Sequence, residues 1–357
     1  MSEAATATPY RHRRLQLERI EKFVSPTYFA DVNLRSAVDV ERTREGVQLA
    51  LFTQGDNNKH PTWAEIKGAS SDDFVPCAVG TVLGPAWSTH WVRVDIILPE
   101  RLQQQQQQQQ QLIFEFDAGC EALVWSQDGV PLQGLTGGDG NTRRAEVPLA
   151  RSSGSSQFRF FVEVACNGLF GVGANGMINP PDSRRSFTLA MADIVVPNTD
   201  VRALLRALEI IEGLGRHLPE ASERAQKALY VANRIINTCW PSDPATVKAA
   251  LALARDFLAI PTSHAEHQLH IVGHCHIDTA WLWPYRETRR KIGRSWASQL
   301  RLMEANPKFT FACSQAQQYA WLQEDYPQLF SQVVAAAKKQ QFVPVGATWV
   351  EMVCHTF

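Results

Sequence analysis

Two histidines and an aspartate alternate at the end of an apolar run. His274, His276 and Asp278 are each two residues apart, and Trp281 follows three residues after the aspartate. Side chains at every second position of an extended segment point to one side, so these three groups would share a face. Imidazole and carboxylate together suit ions such as zinc, cobalt or manganese. The spacing therefore predicts either part of a metal site or a hydrogen-bonded structural cluster.

Aromatic residues follow this segment closely. Trp283 and Tyr285 lie just beyond Trp281, and aromatic rings beside a polar site offer platforms for the apolar faces of a bound molecule. Spacing does not identify a third or fourth ligand. Three histidines precede the motif, and we expect them at solvated positions: His264, His267 and His270.

The composition excludes several classes of protein. The chain has 357 residues and a formal net charge of −1, which provides no basic surface for nucleic acid. No segment has the roughly 18 apolar residues of a membrane span, and the first residues lack the apolar stretch of a secretory signal. The seven cysteines are scattered and never spaced as C-x-x-C, which argues against a disulfide framework and a cysteine-ligated zinc. We expect a cytoplasmic protein with reduced thiols and neutral or small partners.

Hydrophobic periodicity divides the chain into four segments. Residues 1–60 contain a short amphipathic helix in LQLERIEKFV, followed by an irregular polar lead-in. Residues 61–198 alternate with period two, as in HWVRVDIILP, and an Asp128-Gly129 turn lies within ALVWSQDGVPL. Several short strands with such turns predict an antiparallel β-sandwich.

A run of nine glutamines, Gln103 to Gln111, interrupts the second segment. It lies between two predicted strands, so we expect a solvated loop that replaces the turn of a hairpin. Added length in such a loop costs little free energy. An interaction or aggregation segment is the alternative.

The third and fourth segments contain helices. Residues 199–260 have apolar stripes at helical spacing, with Asp243 as an expected cap and Pro244 just inside the third helix, and they predict a helical connector. Residues 268–357 alternate strands and helices, beginning with the strand LHIVG. That order predicts a multidomain α+β and α/β protein, ending in a parallel sheet or barrel-like domain with its site at the carboxyl ends of strands.

The segment from Leu269 to Met352 resembles the start of the catalytic domain of class II α-mannosidases, glycoside hydrolase family 38, and within it the cytosolic branch. The resembling pieces are GHCHIDTAWLWPYRET, FTFACSQAQQYAWLQEDYPQLF and FVPVGATWVEM. The amino-terminal part is also similar to the β-domain and helical lead-in of that branch, through GPAWSTHWVRVDI, ALVWSQDG and DIVVPNTDVRALL.

The resemblance implies a retaining exo-α-mannosidase that carries one divalent metal, Zn²⁺ or Co²⁺, and acts on the terminal α-mannose of free oligosaccharides. His276 and Asp278 would be metal ligands, and Trp281 would stack on the terminal mannose. His274 matches a position that supports the site without binding the metal. Neither nucleic acid nor a membrane is expected as a partner.

The carboxyl-terminal residues depart from the family pattern. The nucleophilic aspartate, which is also a metal ligand, a further histidine and the acid/base lie downstream in the family, so both catalytic carboxylates are expected beyond residue 357. We therefore expect a chain truncated within the catalytic domain. Glu351 and His355 are alternative ligands, and Glu351 an alternative catalytic carboxylate, although neither matches a family ligand. The alternative functions are a non-catalytic form that binds glycans or metal and, less favoured, a metal-dependent amide or ester hydrolase.

Overall fold

The structure is a computed structural model that describes residues 12–25, 27–29, 31–53, 60–138, 140, 142–149, 155–173, 180–261, 269–346 and 348–351. These residues form two compact units, one from residues 1–42 and 195–268 and the other from residues 43–194 and 269–357. Helices dominate the first unit, and the second combines β-sheets with helices. The predicted class, multidomain α+β with a β-rich amino-terminal domain, is confirmed. The predicted domain bounds stay predictions.

The helices are α1 Arg13–Val24, α2 Trp63–Gly68, α3 Glu100–Gln107, α4 Thr199–His217, α5 Glu223–Thr238, α6 Pro244–Leu258, α7 Tyr285–Ala305, α8 Ala316–Asp325 and α9 Pro327–Lys338. The strands are β1 Asp39–Thr43, β2 Val47–Phe52, β3 Phe74–Cys77, β4 Val82–Leu83, β5 Thr89–Ile97, β6 Ile113–Asp117, β7 Glu121–Ser126, β8 Pro131–Thr136, β9 Glu146–Pro148, β10 Gln157–Ala165, β11 Phe187–Thr188, β12 Met191–Pro197, β13 Gly273–His274, β14 Phe311–Cys313 and β15 Phe342–Pro344. None of the described helices has the length and apolar character that a bilayer crossing requires.

The helical unit packs α1 and α4 to α6 around their apolar stripes. Leu204, Leu208 and Ile235 are fully buried in its core. The side chain of Asp243 accepts a hydrogen bond from the Ala245 amide at 2.9 Å, and Pro244 occupies the first turn of α6. The predicted cap and the predicted amino-terminal helix are therefore confirmed, because local sequence patterns decide both.

Two antiparallel sheets form the sandwich in the second unit. One sheet has the strand order β3-β2-β5-β10-β7-β8, and in the other β6 lies between β12 and β9. The turn at Asp128-Gly129 joins β7 to β8 as predicted, with Gly129 at φ +83°. The expectation of an irregular lead-in before residue 60 is wrong for VQLALF, which forms β2 and pairs with both β3 and β5. The lead-in contains too few alternating residues for its period to stand out.

The predicted glutamine hairpin is also wrong. Strands β5 and β6 belong to different sheets, so the connection passes from one sheet to the other. Gln103 to Gln107 continue α3, whose fully buried Leu102 anchors the helix, and the Gln103 side chain donates to the Leu98 carbonyl at 2.7 Å. Glutamine has a good helix propensity, so a buried leucine before the run is sufficient to start a helix. Gln107 to Gln110 are exposed, as expected for a solvated segment.

Three parallel strands in the order β13-β14-β15, with α7, α8 and α9, form the α/β part of the second unit. The strand predicted for LHIVG is shorter than expected, because only Gly273 and His274 pair with β14. Leu269 and Ile271 are 85 % and 89 % exposed. Among the described strands β13 has β14 as its one neighbour, which leaves its other edge without a partner.

A buried ion-pair network joins the sandwich to α7. Its members are three carboxylates and three cations: Glu121, Glu163, Glu287, Arg290, Lys291 and Arg294. The six formal charges sum to zero, which meets the requirement that buried charges be paired. The contact is close, since a Cβ added at Gly134 of β8 would lie 2.4 Å from the Arg294 carbonyl oxygen. The sandwich thereby fixes α7, which begins seven residues after Asp278.

Candidate functional site

The candidate site lies at the carboxyl ends of the three parallel strands, as the sequence predicts. His274 ends β13, Ser314 follows β14, and the segment containing Trp349 and Glu351 follows β15. Two hydrogen bonds join the segment that follows β15 to the residues that follow β14. The Gln317 amide donates to the Trp349 carbonyl at 3.0 Å, and Trp349 Nε1 donates to Gln317 Oε1 at 2.7 Å.

His276 lies between two carboxylates. Its Nε2 is 3.0 Å from Asp278 Oδ1, and its Nδ1 is 2.7 Å from Glu351 Oε2. Glu351 also accepts a hydrogen bond from the Ser314 hydroxyl. The two ring nitrogens point in opposite directions, so an ion that contacts Nε2 and Asp278 cannot also contact Glu351.

Of the two alternative ligands, Glu351 and His355, the structure describes only Glu351. Glu351 reaches His276 but approaches the ring nitrogen remote from Asp278, while His355 lies outside the described residues. His264 and His267, predicted at solvated positions, lie outside them too. Within the part of the chain that the structure describes, no group of three or more His, Cys, Asp or Glu side chains is arranged to hold a metal ion. Among the residues that the structure describes, His276 and Asp278 thus form a ligand set of two.

His274 makes a different contact. Its Nδ1 donates to the Ala312 carbonyl of β14 at 2.9 Å, which fixes the ring against the neighbouring strand. His270 is exposed, as expected. Burial raises the pKa of the Cys275 thiol, so this residue, between the two histidines, stays neutral at physiological pH.

Buried polar side chains hold the backbone that carries His276 and Asp278. The side-chain amides of Gln315 and Gln318 donate to the Ile277 carbonyl at 2.9 and 2.7 Å. The Thr288 hydroxyl, at the start of α7, lies 3.2 Å from the Asp278 carbonyl and 3.0 Å from the Ala280 amide. Because these partners are buried, the loop has a defined shape with its donors and acceptors satisfied.

Replacing Gln318 by leucine should cost about 0.5–1.5 kcal/mol of stability, because the Ile277 carbonyl loses one of its two buried donors and keeps Gln315. Urea denaturation would measure this effect. Gln323→Leu, an exposed glutamine on the same helix, is the matched control. Equal behaviour of the two variants would contradict the assigned role.

Trp281 and Trp283 have different environments. Trp283 is buried, and its Nε1 donates to the Thr288 hydroxyl at 3.1 Å. Trp281 is 49 % exposed, with its ring perpendicular to that of Trp283 at 5.5 Å between centroids. Trp281 is therefore available to a ligand, while Trp283 packs in the core beneath it.

Two family models match this chain. Residues 47–195 match the model described as α-mannosidase, jelly roll domain, and residues 266–356 match the glycosyl hydrolases family 38 N-terminal domain. Residues 266–356 belong to glycoside hydrolase family 38. The first match begins at the first residue of β2, in agreement with the place of that strand in the sandwich.

Curated relatives agree with this family assignment. Over 98 % of its length the chain is 42 % identical to α-mannosidase 2C1 of Homo sapiens, and it covers 32 % of that protein. It is 35 % identical to α-mannosidase G of Dictyostelium discoideum over 96 % of the chain and 30 % of that protein. An α-mannosidase of Saccharomyces cerevisiae is 37 % identical over 82 % of the chain and 28 % of its own length. The chain thus spans about a third of the relatives' length.

Sequence reasoning missed the residues that shape the site without touching a ligand. Gln315 and Gln318 directly follow β14, and their position at the carboxyl end of a parallel strand is a usable signal. Thr288 gave no such signal, because a threonine in a first helical turn is common. Its role depends on the path of the loop from Asp278 to Trp283.

Proposed function

We propose that this chain supplies the metal-binding and mannose-stacking part of a retaining α-mannosidase that acts on the terminal α-mannose of oligosaccharides. The carrying observation is the pair formed by His276 Nε2 and Asp278 Oδ1, 3.0 Å apart, followed three residues later in the chain by the half-exposed Trp281. A cytoplasmic location belongs to the same proposal. It is supported by the six described cysteines, which are free.

The donor set fits a divalent ion. Glu351 Oε2 accepts from His276 Nδ1, which in the neutral imidazole leaves the lone pair of Nε2 facing Asp278 Oδ1. Two acceptors at this distance need a cation or a proton between them. A carboxylate on the far ring nitrogen is also the usual partner of a metal-binding histidine. Nitrogen and oxygen donors together suit Zn²⁺ or Co²⁺.

The residues of this chain then have distinct roles. His276 and Asp278 would hold the ion, which would supply a positive charge for sugar hydroxyls. Glu351 and His274 would orient the ligands, and Trp281 would stack on the apolar face of the terminal mannose. Retaining hydrolysis further requires two carboxyl groups roughly 5–5.5 Å apart. Asp278 and Glu351 both contact the His276 ring, so we assign neither as nucleophile or acid/base.

Metal and sugar titrations of the purified chain test this proposal. We expect His276→Ala and Asp278→Ala to weaken Zn²⁺ binding by at least about 100-fold, and Trp281→Ala to remove binding of methyl α-mannoside. His270→Ala, which removes an exposed imidazole of the same segment, should change neither. Zinc binding that survives the loss of His276 would refute the metal assignment.

A turnover assay with an aryl α-mannoside and added zinc or cobalt distinguishes the catalytic from the non-catalytic form of this function. Metal and sugar binding without turnover would describe a glycan-binding form. Turnover that disappears in His276→Ala would show that carboxylates of this chain carry the reaction.

A further inference from the structure

A tight turn of the sandwich reaches the segment that carries Trp281. Gly168 and Gly171 exchange two backbone hydrogen bonds, at 2.8 and 3.1 Å, which close the four-residue turn Gly168–Gly171. Phe170 lies at its tip and is 44 % exposed. An exposed phenylalanine on a closed turn has little conformational freedom to lose on binding a ligand.

Two contacts fix this turn against the site. Gly171 has φ +87°, and a Cβ added there would lie 2.4 Å from the Leu282 carbonyl oxygen, so the close approach requires glycine. On the other side Lys291 Nζ donates to the Leu169 carbonyl at 3.1 Å. The turn is therefore held by the residue after Trp281 and by α7, both of which belong to the family 38 segment.

The rings of Phe170 and Trp281 are perpendicular, with centroids 6.3 Å apart. Beside them lies a cavity of about 440 Å³, which is within the usual size range of ligand pockets. Its lining includes Trp87, Phe170, Trp281 and Arg286. Aromatic faces beside guanidinium donors match the chemistry of a hexose, which presents an apolar face of C–H groups and a rim of hydroxyl acceptors.

We propose that the Gly168–Gly171 turn forms a second wall of the sugar site, where Phe170 contacts the sugar residue attached to the terminal mannose. This inference rests on the proposed function, in which Trp281 stacks on the terminal mannose next to His276 and Asp278. The second sugar enters the cavity between the sandwich and the family 38 segment. The jelly roll domain thereby contributes directly to substrate recognition.

Two ligands that differ by one sugar test the assignment. Methyl α-mannoside presents one hexose and an α-linked mannobiose presents two, and calorimetry with the zinc-loaded chain measures both dissociation constants. The variants are Phe170→Ala, Phe170→Tyr, which keeps a ring, and Trp240→Ala, which removes an exposed aromatic side chain of the helical unit.

In Phe170→Ala we expect roughly tenfold weaker binding of the mannobiose, as is typical when an aromatic contact is truncated, with methyl α-mannoside binding unchanged. Phe170→Tyr and Trp240→Ala should bind both ligands like the parent chain. Unchanged mannobiose binding in Phe170→Ala, or an equal loss for both ligands, would overturn the inference while leaving the proposed function intact. Failure of the parent chain to bind either ligand would overturn the proposed function and this inference together.

Discussion

Replacing Glu287 by glutamine is expected to destabilise the unit that contains the sandwich and α7 by about 3–5 kcal/mol, the usual cost of breaking a buried ion pair. Glu287 is completely buried and lies 2.5 Å from Arg290 Nη1 and 2.9 Å from Arg294 Nη2. Its removal leaves two carboxylates against three cations, so one buried positive charge has no counterpart. The free energy of unfolding from urea denaturation measures the effect.

The charge state of Glu287 supports this magnitude. Burial alone would raise the pKa of the carboxyl group, but Arg290 and Arg294 outweigh burial and lower it to about 2. The group is therefore ionised at neutral pH and its neighbours depend on its charge. Because the folded-state pKa is below the ordinary value of 4.5, this stabilisation is complete above that value and is lost as the pH falls towards 2.

Glu304→Gln is the matched control, since it makes the same chemical change on the same helix. Glu304 is 61 % exposed and pairs with Arg301 at 3.0 Å, and exposed pairs contribute roughly 0–1 kcal/mol. A loss of less than about 1 kcal/mol in Glu287→Gln, similar to this control, would show that the network is dispensable for stability.

Replacing Trp296 by alanine should cost about 3–5 kcal/mol, the usual range for large aromatic side chains in a core. Trp296 is fully buried on α7 and its ring lies 4.6 Å from Tyr319 and 5.2 Å from Phe342, measured between centroids. Its loss opens a cavity between α7, α8 and β15. The urea midpoint, at an unchanged denaturant slope, measures the change in stability.

Two further variants serve as controls for the stability loss expected in Trp296→Ala. Trp296→Phe keeps an aromatic ring and should lose clearly less stability than the alanine variant. Tyr285→Ala removes a 62 % exposed ring from the same helix and should leave the midpoint within the range of surface substitutions, roughly 0.5 kcal/mol. Three indistinguishable variants would mean that Trp296 is not a core residue of this unit.

These predictions depend on how the sandwich and the family 38 segment meet. Glu121 and Glu163 lie on β7 and β10, whereas their cationic partners lie on α7, more than 120 residues later. In the sequence each of these charges resembles any charge on a solvated helix or strand. Their pairing depends on the docking of α7 on the sheet, which no local pattern specifies.

Local periodicity determined much of the fold. The apolar stripes of α4 to α6 and the cap at Asp243 were readable because a helix depends on residues three or four positions apart. Alternation of side chains likewise predicted β5. For His274, His276 and Asp278 it predicted one shared face, but the strand ends at His274 and only His276 and Asp278 are paired. The helix at the start of the glutamine run was not predicted, because it depends on the burial of Leu102, and burial is decided by the tertiary fold.

The sequence by itself determined the family resemblance, the fold class, and the two side chains proposed to bind a metal. Only the tertiary structure decided that Glu351 approaches the opposite nitrogen of His276, that Gln318 and Thr288 shape the loop, and that Phe170 faces Trp281. The physical reason is the separation along the chain between the residues that interact. Periodicity and caps act between near neighbours in the chain, whereas these contacts form only when a buried network and two close glycine contacts bring the sandwich and α7 together.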